Sequence, residues 1–159
     1  MTISDRVRVK DERVLSHARY LLKSITFDYR RGDGEWQTQT REVYDRGNAA
    51  TLLPYNLTGR TVVLARQFRL PAFVNGHDDL MIEAVAGLLD DASPEQRIRT
   101  EAEEESGYRL GKIGNILEAF MYPGAGTGKP DFFIAQSEPA LRISQRVGNP
   151  VQRGDVEAG

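Results

Sequence analysis

The sequence contains no cysteine and only two histidines, His17 and His77, among its 159 residues. It therefore has no disulfides, no thiol nucleophile and no zinc or iron–sulfur site built on thiolates. A histidine-based metal site is not expected either, because His17 and His77 are far apart in the chain. No apolar run approaches the about 20 residues of a membrane-spanning helix. The net charge is −2, so no bulk electrostatic field attracts nucleic acid or an anionic membrane.

What is present is typical of one soluble globular domain, with 40% hydrophobic and 28% charged residues. The first residues are polar and charged, which does not fit a secretory signal. We therefore expect a cytoplasmic protein. Any metal it binds must be a hard cation held by carboxylates, since thiolates are absent and histidines are scarce.

The first part of the chain predicts a small β unit. Residues 19–28 and 36–43 are rich in apolar, β-branched and aromatic side chains, and residues 31–34 (R-G-D-G) form a tight turn between them. A unit of this size cannot bury its apolar face alone, so we expect it to pack on the main domain or on a second copy of the chain. The predicted organisation is an N-terminal β unit (1–42), a core (43–136) and a loosely attached polar tail (137–159).

The core alternates strands with one helix. Apolar or alternating segments predict strands at 48–55, 61–66, 80–85, 113–121 and 131–135, with a turn at 56–59. Four aromatic residues near the end of this region are expected to be core side chains rather than base-stacking residues: Phe120, Tyr122, Phe132 and Phe133.

The helix is predicted at Pro94–Ser106 and has signals at both ends. Ser93 can cap it, with Gln96 in the position of a capping box, and Gly107 can end it. Ile98, Ala102 and, more weakly, the stem of Arg97 form a thin buried stripe.

The same helix carries an unusual load of glutamates at positions 101, 103, 104 and 105. Glu101 and Glu105 are four residues apart and repel each other, and the negative end of the helix dipole adds to this cost. An acidic run is often only a solvated face, but a Mg²⁺ ion would cancel this repulsion.

Four ordered motifs within residues 10–136 carry a resemblance to a known family. The segment E-A-E-E-E-S-G-Y (101–108) resembles the C-terminal half of the Nudix box. The segments R-E-V-Y-D-R-G-N (41–48), R-Q-F-R (66–69) and E-A-V-A-G (83–87) are similar to the bacterial GDP-mannose pyrophosphatase branch, which is close to the ADP-ribose pyrophosphatases. The resemblance implies an α/β (α+β) fold. In that fold a Nudix α/β/α sandwich contains a mixed β-sheet, joined here to an N-terminal antiparallel β unit and a shortened C-terminal part.

The resemblance implies a Mg²⁺ site, with Mn²⁺ as an alternative metal. Its ligands would be Glu101, Glu104, Glu105 and the backbone carbonyl of Ala86. Glu83 would be an outer-shell or water-positioning residue, so that the expected catalytic set is Glu83 together with the three helix glutamates. A solvent-facing strand residue is the plainer alternative for Glu83.

Arginines and one tyrosine are the expected substrate-binding residues. Guanidinium groups match phosphate oxygens bidentately, and in the resembled family these segments line the substrate site, partly across a dimer interface. The residues are Arg41, Tyr44, Arg46, Arg66 and Arg69. Surface ion pairs are the alternative for each arginine.

The sequence departs from the family pattern at several places. Ser93 replaces an early glutamate of the box, Thr100 replaces the arginine that orients the ligating glutamates, and Gly128 replaces a glutamate of the segment after the helix. Arg97 and Arg99 lie on the same helix, but their spacing does not place either on the helix face that the orienting arginine of the family occupies. The chain also turns polar where the family continues with further elements.

Two function hypotheses follow from these observations. The first is Mg²⁺-dependent hydrolysis of a nucleoside diphosphate sugar, GDP-mannose by resemblance, to a nucleotide and a sugar phosphate, with ADP-ribose as the alternative substrate. The second is a degenerate Nudix domain that binds a nucleotide or only dimerises. Both predict a homodimer and no nucleic-acid or membrane partner.

Overall fold

The computed structural model describes residues 2–89, 93–106, 110–137 and 156–158. The chain divides into two compact units. The first consists of Met1–Gly47 and Phe120–Gly128, and the second of Asn48–Ala119 and Lys129–Gly159. The predicted boundary after residue 42 lies a few residues before this division, inside a strand that continues to Asp45. Within the described residues, no helix is long and apolar enough to cross a membrane.

The first unit is built on an antiparallel sheet of three long strands. A 3₁₀ turn (Ile3–Arg6) leads into β1 (Val7–His17), β2 (Leu21–Arg30) and β3 (Trp36–Asp45), in the order β1-β2-β3. The predicted hairpin between β2 and β3 is confirmed, and Gly34 takes the positive φ of 92° that its turn requires. The sequence did not indicate β1, because its side chains are largely charged and nearly all exposed rather than alternating.

The segment 120–128 is attached to the end of β3. The Tyr44 amide donates to the Ala125 carbonyl at 2.8 Å, and the Thr127 amide donates to the Tyr44 carbonyl at 3.2 Å. The Thr127 hydroxyl also donates to Asp45 Oδ1 at 2.8 Å. The expectation that Phe120 and Tyr122 are core residues is wrong, since they are 58% and 59% exposed. The prediction placed Phe120 in a strand, whereas both residues lie in a loop, where a large side chain need not be buried.

The second unit contains a five-stranded mixed sheet and a small antiparallel sheet. Its strands are β4 (Ala49–Asn56), β5 (Thr61–Val62), β6 (Ala65–Gln67), β7 (Met81–Glu83), β8 (Val85–Leu88), β9 (Ile113–Glu118), β10 (Asp131–Gln136) and β11 (Val156–Ala158). The larger sheet has the order β5-β4-β10-β9, with β8 also paired to β4, and only the β4–β10 pair is parallel. The smaller sheet has the order β11-β6-β7. The predicted mixed sheet and α+β class are confirmed.

Two helices accompany these sheets, α1 (Leu70–Val74) and α2 (Pro94–Ser106). The bounds of α2 agree with the predicted helix. Helix α2 packs on β4 and β8, where Ile98 and Ala102 are fully buried. They join a core of aliphatic side chains and Phe133 that includes Ala50, Leu52, Val85, Leu110, Ile113 and Ala135. This core fixes the helix that carries the glutamates.

Several elements differ from those predicted for this unit. The strands predicted at 61–66 and 80–85 are each two short strands, since the backbone turns from one sheet to the other within them. Helix α1 was not predicted. Most of the predicted polar tail lies outside the described residues, but its residues Val156–Ala158 pair with Ala65–Gln67 as β11. Gly107, the predicted end of α2, is also outside the described residues.

Candidate active site

Helix α2 begins with the capping box that its sequence predicts. The Ser93 hydroxyl accepts from the Gln96 amide at 3.4 Å, and the Gln96 side-chain oxygen lies 3.0 Å from that hydroxyl and 3.4 Å from the Ser93 amide. Reciprocal bonds of this kind satisfy donors that the first helical turn leaves unpaired. The helix start is therefore defined, and its buried stripe sets which side chains face β8.

Glu101 lies on that buried face, against the strand that precedes the helix. The residue is 4% exposed, and its side chain contacts the backbone of Gly87 in β8. A methyl group at position 87 would lie 2.5 Å from Glu101 Cγ and 2.8 Å from Cδ and Oε1. Glycine at this position thus allows the carboxylate to approach the strand beside Ala86. Of the residues predicted to hold the metal, Glu101 thus lies against the residue that follows Ala86 in β8.

Arg97 supplies the positive charge beside this buried carboxylate. Its Nη2 atom is ion-paired with Glu101 Oε1, one helical turn away. The sequence places the stem of Arg97 on the buried stripe, but its pairing with Glu101 was not predicted, although the i,i+4 spacing of the two residues is a signal that could have found it. Thr100 donates its hydroxyl to the Gln96 carbonyl at 3.1 Å and is exposed.

The remaining glutamates lie at the C-terminal end of α2. Glu104 is exposed, and the side chain of Glu105 lies outside the described part of the structure. The last turn of the helix contains no basic residue to balance the helix dipole. Among the side chains that the structure describes, no group of three histidines, cysteines, aspartates or glutamates could hold a metal ion. The full ligand set predicted from the sequence stays a prediction.

The donors that the structure places together fit a hard divalent cation. Carboxylate and carbonyl oxygens are the protein ligands that Mg²⁺ accepts, and it retains water or phosphate oxygens at its other positions. The buried carboxylate of Glu101, packed against Gly87 in β8, is one oxygen donor of this type. This chemistry fits Mg²⁺.

Glu83 and Arg69 form a second charged pair, on the small sheet of the same unit. Arg69 Nε lies 3.0 Å from both oxygens of Glu83, and Arg69 Nη2 lies 2.6 Å from Glu83 Oε2. The side-chain amide of Gln67, a residue that is 8% exposed, also donates to Glu83 Oε2 at 3.3 Å. The Glu83 carboxylate is thus held by two side chains. In this structure the guanidinium of Arg69 binds the Glu83 carboxylate instead of forming part of an open site for phosphate.

Arg66, the other predicted arginine of this segment, is paired at the surface. Its Nη2 atom lies 2.9 Å from Asp79 Oδ1, and both side chains are exposed. The hydrogen bonds from the Leu80 amide and from Arg66 hold the pKa of Asp79 below its ordinary value. An exposed pair of this kind is easily opened, because solvent and salt screen it.

The three predicted substrate-binding residues near the end of β3 belong to the first unit. Tyr44 packs edge-on against Tyr20, with ring centroids 5.8 Å apart. The Arg46 guanidinium lies 5.1 Å from the centre of the Tyr20 ring. Arg41 bonds to the Gln39 side chain and the Thr40 carbonyl on its own strand. Tyr20, which the sequence analysis did not select, joins Tyr44 and Arg46 in one aromatic and cationic group.

Comparison with known proteins identifies relatives along nearly the whole chain. Residues 6–44 match the family model described as GDP-mannose pyrophosphatase NudK N-terminal domain. A GDP-mannose pyrophosphatase of Pectobacterium atrosepticum is 42% identical over 156 residues, covering 98% of this chain and 80% of the relative. One of Salmonella arizonae is 44% identical, with 98% and 81% coverage. One of Klebsiella pneumoniae is 45% identical over 147 residues, with 92% and 74% coverage.

A solved structure supports the fold independently of close sequence similarity. The crystal structure of an ADP compounds hydrolase superposes with a TM-score of 0.67 at 16% identity, covering 96% of this chain and 77% of that one. At this identity the similarity concerns the fold alone. The identity and coverage of the sequence relatives are sufficient to assign the family. The chain belongs to the GDP-mannose pyrophosphatase family of Nudix hydrolases.

Proposed function

We propose that the protein is a Mg²⁺-dependent hydrolase that cleaves the diphosphate bond of a nucleoside diphosphate sugar, with GDP-mannose as the substrate. The relatives named GDP-mannose pyrophosphatases, at 42–45% identity, support the substrate class. The observation that carries the proposal is the buried carboxylate of Glu101, which packs against Gly87 in β8. ADP-ribose is less well supported, because the ADP compounds hydrolase is only a fold relative.

The proposed metal ligands are Glu101, Glu104, Glu105 and the Ala86 carbonyl. A bound Mg²⁺ ion would neutralise the diphosphate and favour attack by water at phosphorus. The oxygen of water would bond to one phosphorus atom, and the bond from that phosphorus to the bridging oxygen would break. The proton lost by water would pass to a carboxylate or to solvent, and the products would be a nucleotide and a sugar phosphate.

The other side chains have binding and positioning roles in this proposal. Glu83, held by Arg69 and Gln67, would orient the attacking water or act as an outer-shell residue of the metal site. Arg66 would bind phosphate after leaving its exposed pair with Asp79. Substrate contacts by Arg41, Tyr44 and Arg46 rest on the family resemblance.

A degenerate domain with little turnover is the second candidate function. It is favoured by Thr100, whose hydroxyl is bonded to the Gln96 carbonyl where the family pattern has an arginine that orients the glutamates. In that case the protein would bind a nucleotide, or only dimerise, without hydrolysing it.

Turnover assays with a matched variant separate the two candidates. We expect Mg²⁺-dependent release of GMP from GDP-mannose, and a loss of more than about 100-fold in Glu104→Gln/Glu105→Gln, because even outer-shell changes cost about 10–100-fold. The control is Glu95→Gln in the exposed first turn of the same helix. Wild-type turnover no higher than that of the double variant would contradict the enzyme proposal. Calorimetric Mn²⁺ binding that survives the double substitution would contradict the ligand assignment.

We also propose a homodimer formed through the N-terminal sheet, and a cytoplasmic location. Apolar side chains on β1 and at the start of β3 support the dimer, since Val9, Val14 and Trp36 are 65%, 54% and 37% exposed. Sedimentation velocity at micromolar concentration should give a single dimeric species. A monomer under these conditions would refute the dimer.

A further inference from the structure

We infer that Arg97 is the positioning residue for Glu101. In the family pattern an arginine at the position of Thr100 orients the metal-binding glutamates, and Arg97 performs that role here. The inference rests on the proposed function, because it concerns the metal site proposed above. The observation behind it is the ion pair between Arg97 Nη2 and Glu101 Oε1 on the buried face of α2.

The geometry of the pair favours a positioning role over a surface ion pair. The side chain of Glu101 is only 6% exposed and that of Arg97 is 29% exposed. The same side chain also packs so closely against Gly87 that there is no room for even a methyl group there. The carboxylate is therefore in contact with both the arginine and the strand. A charge that is removed from water in this way needs a partner, and Arg97 provides it.

One hydrogen-bond donor of the Arg97 side chain is left unsatisfied by the described residues. Its Nε atom is buried and has no hydrogen-bond partner within the described part of the chain. A guanidinium group has five donors, and the usual arrangement satisfies those that are buried. The unpaired Nε indicates that the side chain is held by its contact with Glu101 rather than by its own solvation.

Thr100 cannot perform the same task. Its hydroxyl donates to the Gln96 carbonyl of the preceding turn, and the side chain carries no charge. Arg99, the other arginine of this region, is directed elsewhere: its Nη1 donates to the Leu110 carbonyl at 3.1 Å, and its Nη2 lies 3.6 Å from Glu95. Among the arginines of α2, Arg97 is the one whose described contacts include a proposed ligand.

A guanidinium beside a metal ligand has two opposing effects. It repels the cation, but it also holds the ligand in the conformation that the cation needs. The contact with Arg97 engages one oxygen of Glu101, and a carboxylate has two oxygens that can each accept more than one bond. Holding Oε1 therefore leaves the carboxylate able to bind a cation. We expect the positioning effect to dominate, since partners that orient metal ligands typically change metal affinity by about 10–100-fold.

The test compares Mn²⁺ binding to the full chain, by calorimetry and by electron paramagnetic resonance of free Mn²⁺, in Arg97→Met, Arg97→Lys and Arg99→Met. Arg97→Met should weaken Mn²⁺ binding by about 10-fold or more. Arg97→Lys should give an intermediate affinity, because it keeps the charge but lacks the planar donor group. Arg99→Met should lower the melting temperature of the metal-free protein and leave Mn²⁺ affinity unchanged. In turnover, kcat should fall in Arg97→Met with little change in KM.

The outcomes separate this inference from the proposed function. Unchanged or tighter Mn²⁺ binding in Arg97→Met would overturn the positioning role alone, and so would an equal loss of affinity in Arg99→Met. If Arg97→Met does not fold, Arg97→Lys decides, and wild-type affinity in that variant overturns the inference. No Mn²⁺ binding by the wild-type protein would overturn the proposed metal site and the inference with it.

Discussion

The two compact units of this chain are stabilised in different ways. None of the described residues of the first unit is buried, whereas every residue of the hydrophobic core belongs to the second. The sheet of the first unit is supported by contacts near its surface, such as the Lys23–Glu12 ion pair at 2.7 Å and the Arg8 guanidinium 4.1 Å from the Trp36 ring centre. The second unit has a close-packed core between α2 and the mixed sheet.

This difference determines where a metal site can be built. Ligand positions must be held to a fraction of an ångström, which requires side chains locked by packing. Glu101 lies on α2 between Ile98 and Ala102, which are both fully buried, so its backbone cannot shift without opening the core. The exposed sheet of the first unit offers no such support. Residues there are better suited to contacts that adapt to a ligand or to a second chain.

The largest expected effect comes from cutting a side chain in the core. Leu52 is fully buried in β4, and Leu52→Ala should lower the free energy of unfolding by about 2–5 kcal/mol, because it removes apolar contacts and leaves a cavity. Val9 in β1 is 65% exposed, and Val9→Ala should cost no more than about 0.5 kcal/mol in the monomer. Urea denaturation measures both. A large effect of Val9→Ala would show that β1 is covered in solution.

An intermediate effect is expected where the core meets the site. Gly87→Ala should displace Glu101 and lower the free energy of unfolding by about 1–3 kcal/mol, the usual cost of overpacking. Mn²⁺ affinity should fall as well. Gly114→Ala in β9 is the matched control, because the nearest atoms to its added methyl group are 4.0 Å away. Equal losses of stability in the two variants, by thermal unfolding, would show that Gly87 is not a special position.

The smallest effect concerns the attachment of segment 120–128 to β3 in the first unit. Hydrogen bonds from the Gly47 amide and then from the Thr127 hydroxyl hold the pKa of Asp45 below its ordinary value. A lowered folded-state pKa stabilises the protein above the unfolded pKa of about 3.9, and this stabilisation is lost as pH falls through the folded-state pKa.

Thr127→Val should therefore lower the free energy of unfolding by about 0.5 kcal/mol near pH 7, a small value because the carboxylate is largely solvated. The difference from the wild type should shrink as pH falls below about 4. Urea denaturation at pH 7 and pH 3.5 measures this. A difference independent of pH would contradict the role of the Asp45 charge.

Local signals in the sequence were sufficient for some elements and not for others. Helix α2 was predicted with its bounds and its capping box, because Ser93, Gln96 and the buried positions Ile98 and Ala102 act within one helix. The β2–β3 hairpin was predicted from its turn. Strand β1 was missed, because its pairing with β2 depends on backbone hydrogen bonds that leave no alternating pattern in an exposed strand.

The candidate site shows the same division. The glutamates of α2 and the glycine before it were recognised as a motif, and the relatives support the family that the motif indicated. The partners of the arginines were not foreseen. Arg69 and Glu83 are 14 residues apart in the chain, and they meet because β6 and β7 pair in the small sheet.

The sequence alone determined the chemistry of this protein. It has carboxylates but no thiols, a helix whose glutamates lie at the negative end of the helix dipole, and motifs that identify a Nudix family. Those properties depend on residue types and short spacings, which need no knowledge of the fold. Only the tertiary structure decided that Glu101 is buried, that Gly87 makes room for it, and that Arg97 rather than Thr100 accompanies it. These facts depend on how α2 packs against β8, and packing is a property of residues distant in the chain.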